Sequence, residues 1–151
     1  MSMPEAIIRP ILHDDWDQWL PLWEGYNSFY ERVVPPGVTT LTWQRFFDTS
    51  EPVHALVAER DGHLLGLVHS IFHRSTSAIA PVCYLQDLFA SEAARGLGIG
   101  RQLVEAVYAK AREAGSPRVY WLTHETNSRA MMLYDKVAER SGFVQYRKEI
   151  G

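Results

Sequence analysis

One short stretch limits this chain more than any other: Arg95-Gly96-Leu97-Gly98-Ile99-Gly100, with three glycines in alternation. It follows the apolar run Val82 to Ala90 and opens a helical pattern with Ile99, Leu103, Ala106 and Val107 on one stripe, closed by Gly115. A strand, a glycine-rich turn and a helix in that order leave unpaired backbone N–H groups and the positive end of a helix dipole at one point, which suits an anion. Glycine lets an anion approach the backbone and tolerates the positive φ that such turns use. A plain tight turn would also use glycine, so spacing has to decide. A P-loop needs Lys then Ser or Thr after its last glycine, but Arg101-Gln102 follows Gly100. The dinucleotide fingerprint spaces its glycines G-x-G-x-x-G with an acid about twenty residues on. Here the spacing is G-x-G-x-G, and Glu125 lies 25 residues past Gly100, a poor fit.

The rest of the chain gives this turn a setting. Ile7, Arg9 and Ile11 alternate as in a strand, and His13-Asp14-Asp15 offers an N-cap. Trp16, Trp19, Leu20, Trp23, Tyr26 and Tyr30 recur at helical spacing, with Pro21 expected to kink the helix or start a second segment. Pro35-Pro36-Gly37 reads as a loop and Thr42 to Asp48 as a short helix. Val53 to Glu59 and His63 to Phe72 form a strand pair joined through Arg60-Asp61-Gly62. After the Gly98 helix come a strand at Val119 to Thr123, a helix at Asn127 to Arg140 and a last strand at Phe143 to Lys148. The expectation is a single α/β domain over residues 1–151, a mixed sheet of about six strands with helices on both faces.

Composition narrows the partners. A chain of 151 residues with 46% apolar and 22% charged residues is long enough to bury a core and is neither disordered nor a coiled coil. The net charge of −3, with no basic patch, argues against nucleic acid or an anionic membrane as main partner. Cys83 is the single cysteine and sits in an apolar run, so it reads as a small buried hydrophobe in a reducing, cytoplasmic setting. Met1-Ser2-Met3-Pro4-Glu5 lacks a basic start, and no signal peptide or membrane span is expected. His69 and His73 would share one sheet face about 13 Å apart, too far for one metal ion, and no metal is expected.

Three motifs together carry a resemblance. Arg95-x-x-Gly98-x-Gly100, the preceding Tyr84-Leu85-Gln86-Asp87-Leu88-Phe89-Ala90 and the later Asn127-x-x-Ala130-x-x-Leu133-Tyr134 resemble, in order, the motifs of the GCN5-related N-acetyltransferases. Tyr134 to Phe143 is similar to the branch that holds histone and polyamine acetyltransferases. The resemblance implies an enzyme that moves an acetyl group from acetyl-CoA to a primary amine, such as a polyamine, an amino-acid-like amine or a protein amine, by direct attack in a ternary complex. It implies that the backbone of Gly96, Leu97, Gly98, Ile99, Gly100 and Arg101, with Arg95 beside it, holds the pyrophosphate. Leu88, Phe89 and Ala90 would pair with the pantetheine arm, the Leu88 amide would polarise the acetyl carbonyl, and Asn127 would bond the pantetheine. Tyr134 would protonate the departing thiolate. Trp23, Tyr26 and Tyr30, with Gln86, would frame the acceptor.

Two departures from the family pattern matter. Many members carry Glu where this chain has Gln86, and an uncharged amide accepts no proton, so the general base stays unassigned. Strand alternation turns the adjacent Asp87 away from Gln86 and Leu88. A non-catalytic acyl-CoA-binding module is the alternative that this departure raises. Only Phe143 to Gly151 follows Gly142, enough for one closing strand where the family usually has two. The open edge beside Val119 to Thr123 leads to an expected homodimer through the C-terminal strand, against a monomer in which that strand pairs at home.

Overall fold

In the computed structural model, residues 5–151 are described; Met1–Pro4, on which the reading of the N-terminus partly rests, lie outside the described residues. The elements run β1 (Ile7–Pro10), α1 (Trp16–Phe29), α2 (Pro36–Phe46), β2 (Val53–Arg60), β3 (His63–His73), β4 (Val82–Ala90), α3 (Ile99–Glu113), β5 (Val119–Tyr120) and α4 (Ser128–Val137). They fall into two compact units, Met1–Trp121 and Leu122–Gly151.

The first unit holds a five-stranded mixed sheet in the order β1-β2-β3-β4-β5. β1 to β4 are antiparallel neighbours, and β5 joins β4 in parallel. The β2–β3 hairpin closes through Asp61 and Gly62, both at positive φ, 51° and 78°, the pair of left-handed residues that a tight two-residue turn requires. Neighbouring residues of β3 show how the layers lie. Leu67 is fully buried in a cluster with Trp19, Leu22, Trp23 and Tyr26 of α1. Gly66, one residue earlier and so on the other face, lies against α3: a Cβ there would stand 3.1 Å from Ile99 and 3.2 Å from Leu103. Helices therefore cover both faces, α1 on one and α3 on the other. No helix among the described residues is long and apolar enough to cross a membrane.

Four local expectations are corrected. α1 runs unbroken through Pro21: the lost backbone bond is outweighed by the burial of Trp19, Leu22, Trp23 and Tyr26 on one stripe. Pro36 and Gly37 are not loop but the first turn of α2, since proline at N1 has no N–H to leave unsatisfied and already holds a helical φ. The fifth strand pairs only at Val119 and Tyr120. Phe143 to Lys148 makes no ladder among the described residues, and Phe143, Val144 and Tyr146 are 91%, 77% and 94% exposed. A strand exists only with a partner, and apolar alternation alone does not supply one.

Candidate active site

β4 carries the first half of the site. It pairs with β3 along its length, Leu88 against Val68, Phe89 against Leu67 and Ala90 against Gly66. On its other side β5 pairs only with Cys83 and Tyr84. Leu85 to Ala90 therefore have no strand partner on that side among the described residues, and their outward backbone groups form the kind of edge that takes an extended chain.

The turn after β4 brings a second set of backbone donors. Gly96 and Gly98 hold φ of 78° and 73°, values that a side chain rarely adopts. Gly98 is the N-cap of α3, and its carbonyl accepts the Gln102 N–H. Leu97 N–H is used inside the turn, bonding the Ala94 carbonyl. The amides of Ile99, Gly100 and Arg101 open α3, where no preceding helical carbonyl reaches them. A Cβ at Gly96 or Gly98 would meet nothing within 4 Å, so space remains over the turn for an anion. Ile99 itself is buried, which anchors the helix start. The Arg95 and Arg101 side chains are more than half exposed, 3.8 Å from Glu92 and 3.0 Å from Glu105. The backbone set and the space above it fit a pyrophosphate.

A bulge in β4 decides which side chains face α1. His69 of β3 pairs with Asp87, but Ser70 pairs with Leu85, which leaves Gln86 as the extra residue. Simple alternation fails at that point. Gln86 is exposed, and its carbonyl lies 3.5 Å from the Tyr26 hydroxyl. Asp87 is opposite Leu88, as alternation requires, and so shares the α1 face with Phe89, with His69 as its cross-strand partner. The carboxylate is buried. Its Oδ2 is 2.9 Å from His69 Nδ1, and His69 Nε2 is 3.1 Å from Trp19 Nε1. An indole N–H only donates, so Nε2 must accept; the His69 proton is then on Nδ1, which donates to Asp87. His69 is neutral in this arrangement and Asp87 carries the charge.

The cation that faces it is Arg32. Its Nη2 lies 3.9 Å from Asp87 Oδ1, while Nε and Nη2 both donate to Asn27 Oδ1 at 3.0 and 2.7 Å. The guanidinium carbon stands 5.6 Å from the Trp23 ring centre and 5.3 Å from that of Tyr26, cation–π distances. Trp23 is spent on packing, its indole N–H bonded to Thr39 Oγ1 at 3.0 Å. Burial first, and then the Asp87 carboxylate, push the Tyr26 phenol far above its usual range, so it stays protonated. Tyr30 stacks edge-on against Tyr26 and is 39% exposed. Sequence reading proposed Trp23, Tyr26 and Tyr30 for the acceptor, and the structure places Arg32, His69 and Asp87 beside them. A pairing register was needed, and no local signal marks the bulge.

In the second unit, α4 carries two further residues of the sequence motifs. Asn127 is the N-cap, its carbonyl accepting the Met131 N–H, and its side chain makes no cap bond. Tyr134 follows two turns later and is half-buried. Among the described residues no group of three His, Cys, Asp or Glu could hold a metal ion. His73 instead bonds the Tyr120 hydroxyl at 2.6 Å.

The model of the acetyltransferase (GNAT) family matches residues 11–138, and the chain belongs to that family. The fold agrees with a probable acetyltransferase of known structure (TM-score 0.83, 22% identity, 96% of this chain and 98% of the other). It agrees equally with AAC(6')-Iy in complex with the bisubstrate analogue CoA-S-monomethyl-acetylneamine (TM-score 0.83, 16% identity, 98% and 100%). In sequence the chain is 37% identical to a D-amino-acid N-acetyltransferase of Saccharomyces cerevisiae, over 98% of this chain and 93% of the relative. These comparisons show the family and not the finer branch of histone and polyamine enzymes. The chain is an N-acetyltransferase.

Proposed function

We propose that this enzyme transfers the acetyl group of acetyl-CoA to the amino group of a small molecule of the amino-acid class. One observation carries the cofactor half: among the described residues the backbone of β4 has no strand partner towards β5 from Leu85 onward, and it leads directly into the Gly96–Gly98 turn. An extended pantetheine arm matches the first and a pyrophosphate the second. The full-length similarity to a D-amino-acid N-acetyltransferase supports the acceptor half.

In this reading Leu88, Phe89 and Ala90 hold the arm, and the Leu88 amide points its dipole at the thioester oxygen. Gly96, Gly98, Ile99, Gly100 and Arg101 bind the diphosphate through N–H groups. Asn127 bonds the arm and Tyr134 gives the leaving thiolate its proton. A phenol of ordinary pKa about 10 can protonate a thiolate whose thiol titrates near 8.5. Gln86 cannot act as a base, so the amine reacts once it has lost a proton, and the rate rises with pH. The second reading, a binding module without catalysis, rests on Gln86 alone.

We further propose a homodimer. Phe143, Val144, Tyr146 and Ile150 are 77% exposed or more, and a second copy offers this segment the strand pairing it lacks. Light scattering on a size-exclusion column should return twice the 17.3 kDa chain mass; a monomer mass at micromolar concentration contradicts it. Release of free thiol from acetyl-CoA over a panel of amino acids, polyamines, aminoglycosides and histone-tail peptides tests the activity. Turnover that needs an amino acid supports the proposal, and tight CoA binding without amine-dependent thiol release moves the chain to the second reading.

A further inference from the structure

The buried polar cluster on the α1 face of β4 has one feature that packing does not explain. Asp87 Oδ2 is fixed by His69, which Trp19 holds in one tautomer, and the Tyr26 hydroxyl stands close to the carboxylate, yet Oδ1 meets no hydrogen-bond donor within 3.5 Å among the described residues although it is shielded from solvent. The facing Arg32 is an ion-pair partner at 3.9 Å, beyond hydrogen-bond reach, and its nearest donor is committed to Asn27. Leaving a charged oxygen buried and unbonded is costly. A well-adjusted core would close that gap or remove the charge. Here the carboxylate is held rigidly, and the cation stands off on a side chain that is 41% exposed and able to move.

A fixed anion and a movable cation on one aromatic wall complement a small molecule that bears both charges. We infer that Asp87 and Arg32 form the acceptor's recognition site: the ammonium of an α-amino acid takes up Asp87 Oδ1 against the rings of Tyr26 and Trp23, and its carboxylate pairs with Arg32. Without acceptor, Arg32 stands where the ammonium belongs, over the same two rings. The acceptor displaces it outward by a few ångströms, while the carboxylate it brings keeps the guanidinium neutralised. Tyr84 also faces Asp87 and Arg32, its phenol raised by burial and then by the carboxylate, so the neutral hydroxyls of Tyr26 and Tyr84 border the charged pair. A polyamine or a plain alkylamine satisfies Asp87 only and leaves Arg32 as a competing cation.

This inference rests on the acceptor class proposed above, and the test separates the two. Binding of alanine (either enantiomer), ethylamine and lactate to the CoA-loaded wild-type protein compares both poles with each pole alone. The expected order puts one enantiomer of alanine at least tenfold ahead of both single-pole analogues; equal affinity for all three, or no binding of alanine, overturns the two-pole site. In kinetics, Arg32→Met should raise the KM for alanine at least tenfold while ethylamine's KM holds or improves, because its rival cation is gone. Asp87→Asn should raise both. Acetyl-CoA affinity should stay at the wild-type value in each variant. Equal effects of Arg32→Met on alanine and ethylamine overturn the assignment. If no amine is acetylated but alanine still binds in the expected order, the activity reading fails and the site stands. The wild-type ligand comparison decides the matter even if Asp87→Asn does not fold.

Discussion

At the residue scale, Asp15 shows how a buried charge is held in this chain. Asp15 accepts hydrogen bonds from Arg9 Nη1 at 2.7 Å, Arg9 Nη2 at 3.0 Å and the Leu12 amide at 2.7 Å. The Arg9 bonds hold its carboxyl below the usual range. A carboxyl lowered in the folded state contributes stability above its unfolded pKa near 3.9, and that contribution is lost as the pH falls from there through the lower folded pKa. Asp15→Asn should therefore cost about 2 kcal/mol at pH 7 and progressively less as the pH falls below 4, measured by urea denaturation across that range. Tyr134→Phe removes only a hydroxyl and should lower kcat with acetyl-CoA affinity unchanged; an unaltered kcat would mean that the thiolate leaves without an acid. Tyr134, Asn127 and the glycines could be proposed from the sequence because motif spacing is local. The Asp87, His69 and Arg32 cluster could not, because those residues meet only through a strand register and a bulge.

At the scale of elements, close packing between β3 and α3 sets the position of the anion cradle. A Cβ at Gly66 would stand 2.8 Å from the Phe89 carbonyl and 3.1 Å from Ile99, and the backbone carbonyl cannot turn aside as a flexible side chain could. Gly66→Ala should cost roughly 1–3 kcal/mol by overpacking. Because Ile99 opens α3, the same change should weaken acetyl-CoA binding, a coupled loss visible in melting temperature and calorimetry together. Gly98→Asp should weaken cofactor binding far more than it affects stability, since Asp tolerates positive φ better than most residues but brings a carboxylate to a phosphate site. Unchanged affinity would remove the phosphate assignment. The strand, turn and helix around this cradle were legible from apolar runs and glycines. The length of β5 was not, because apolar character reports burial and not pairing.

At the scale of the whole molecule, the layer order was readable because strands and helices alternate as crossover units, and the chain forms that mixed sheet with helices on both faces. The closing strand was the least legible part: its residues have strand character, but whether they pair depends on a partner that the single chain's sequence does not name. Direct transfer between two bound substrates leaves no covalent step on the protein. The single nucleophilic thiol agrees, since Cys83 is fully buried and burial pushes its pKa up to about 11, so it is neither exposed nor ionised near neutral pH. The decisive measurement follows isotope-labelled acetyl-CoA incubated with the enzyme and D- or L-amino acids, with mass spectra taken of both product and protein. The account predicts one free thiol for each N-acetylated amino acid and an unlabelled protein; thiol release with no labelled amine, or an acetyl group found on the chain as an intermediate, would contradict it.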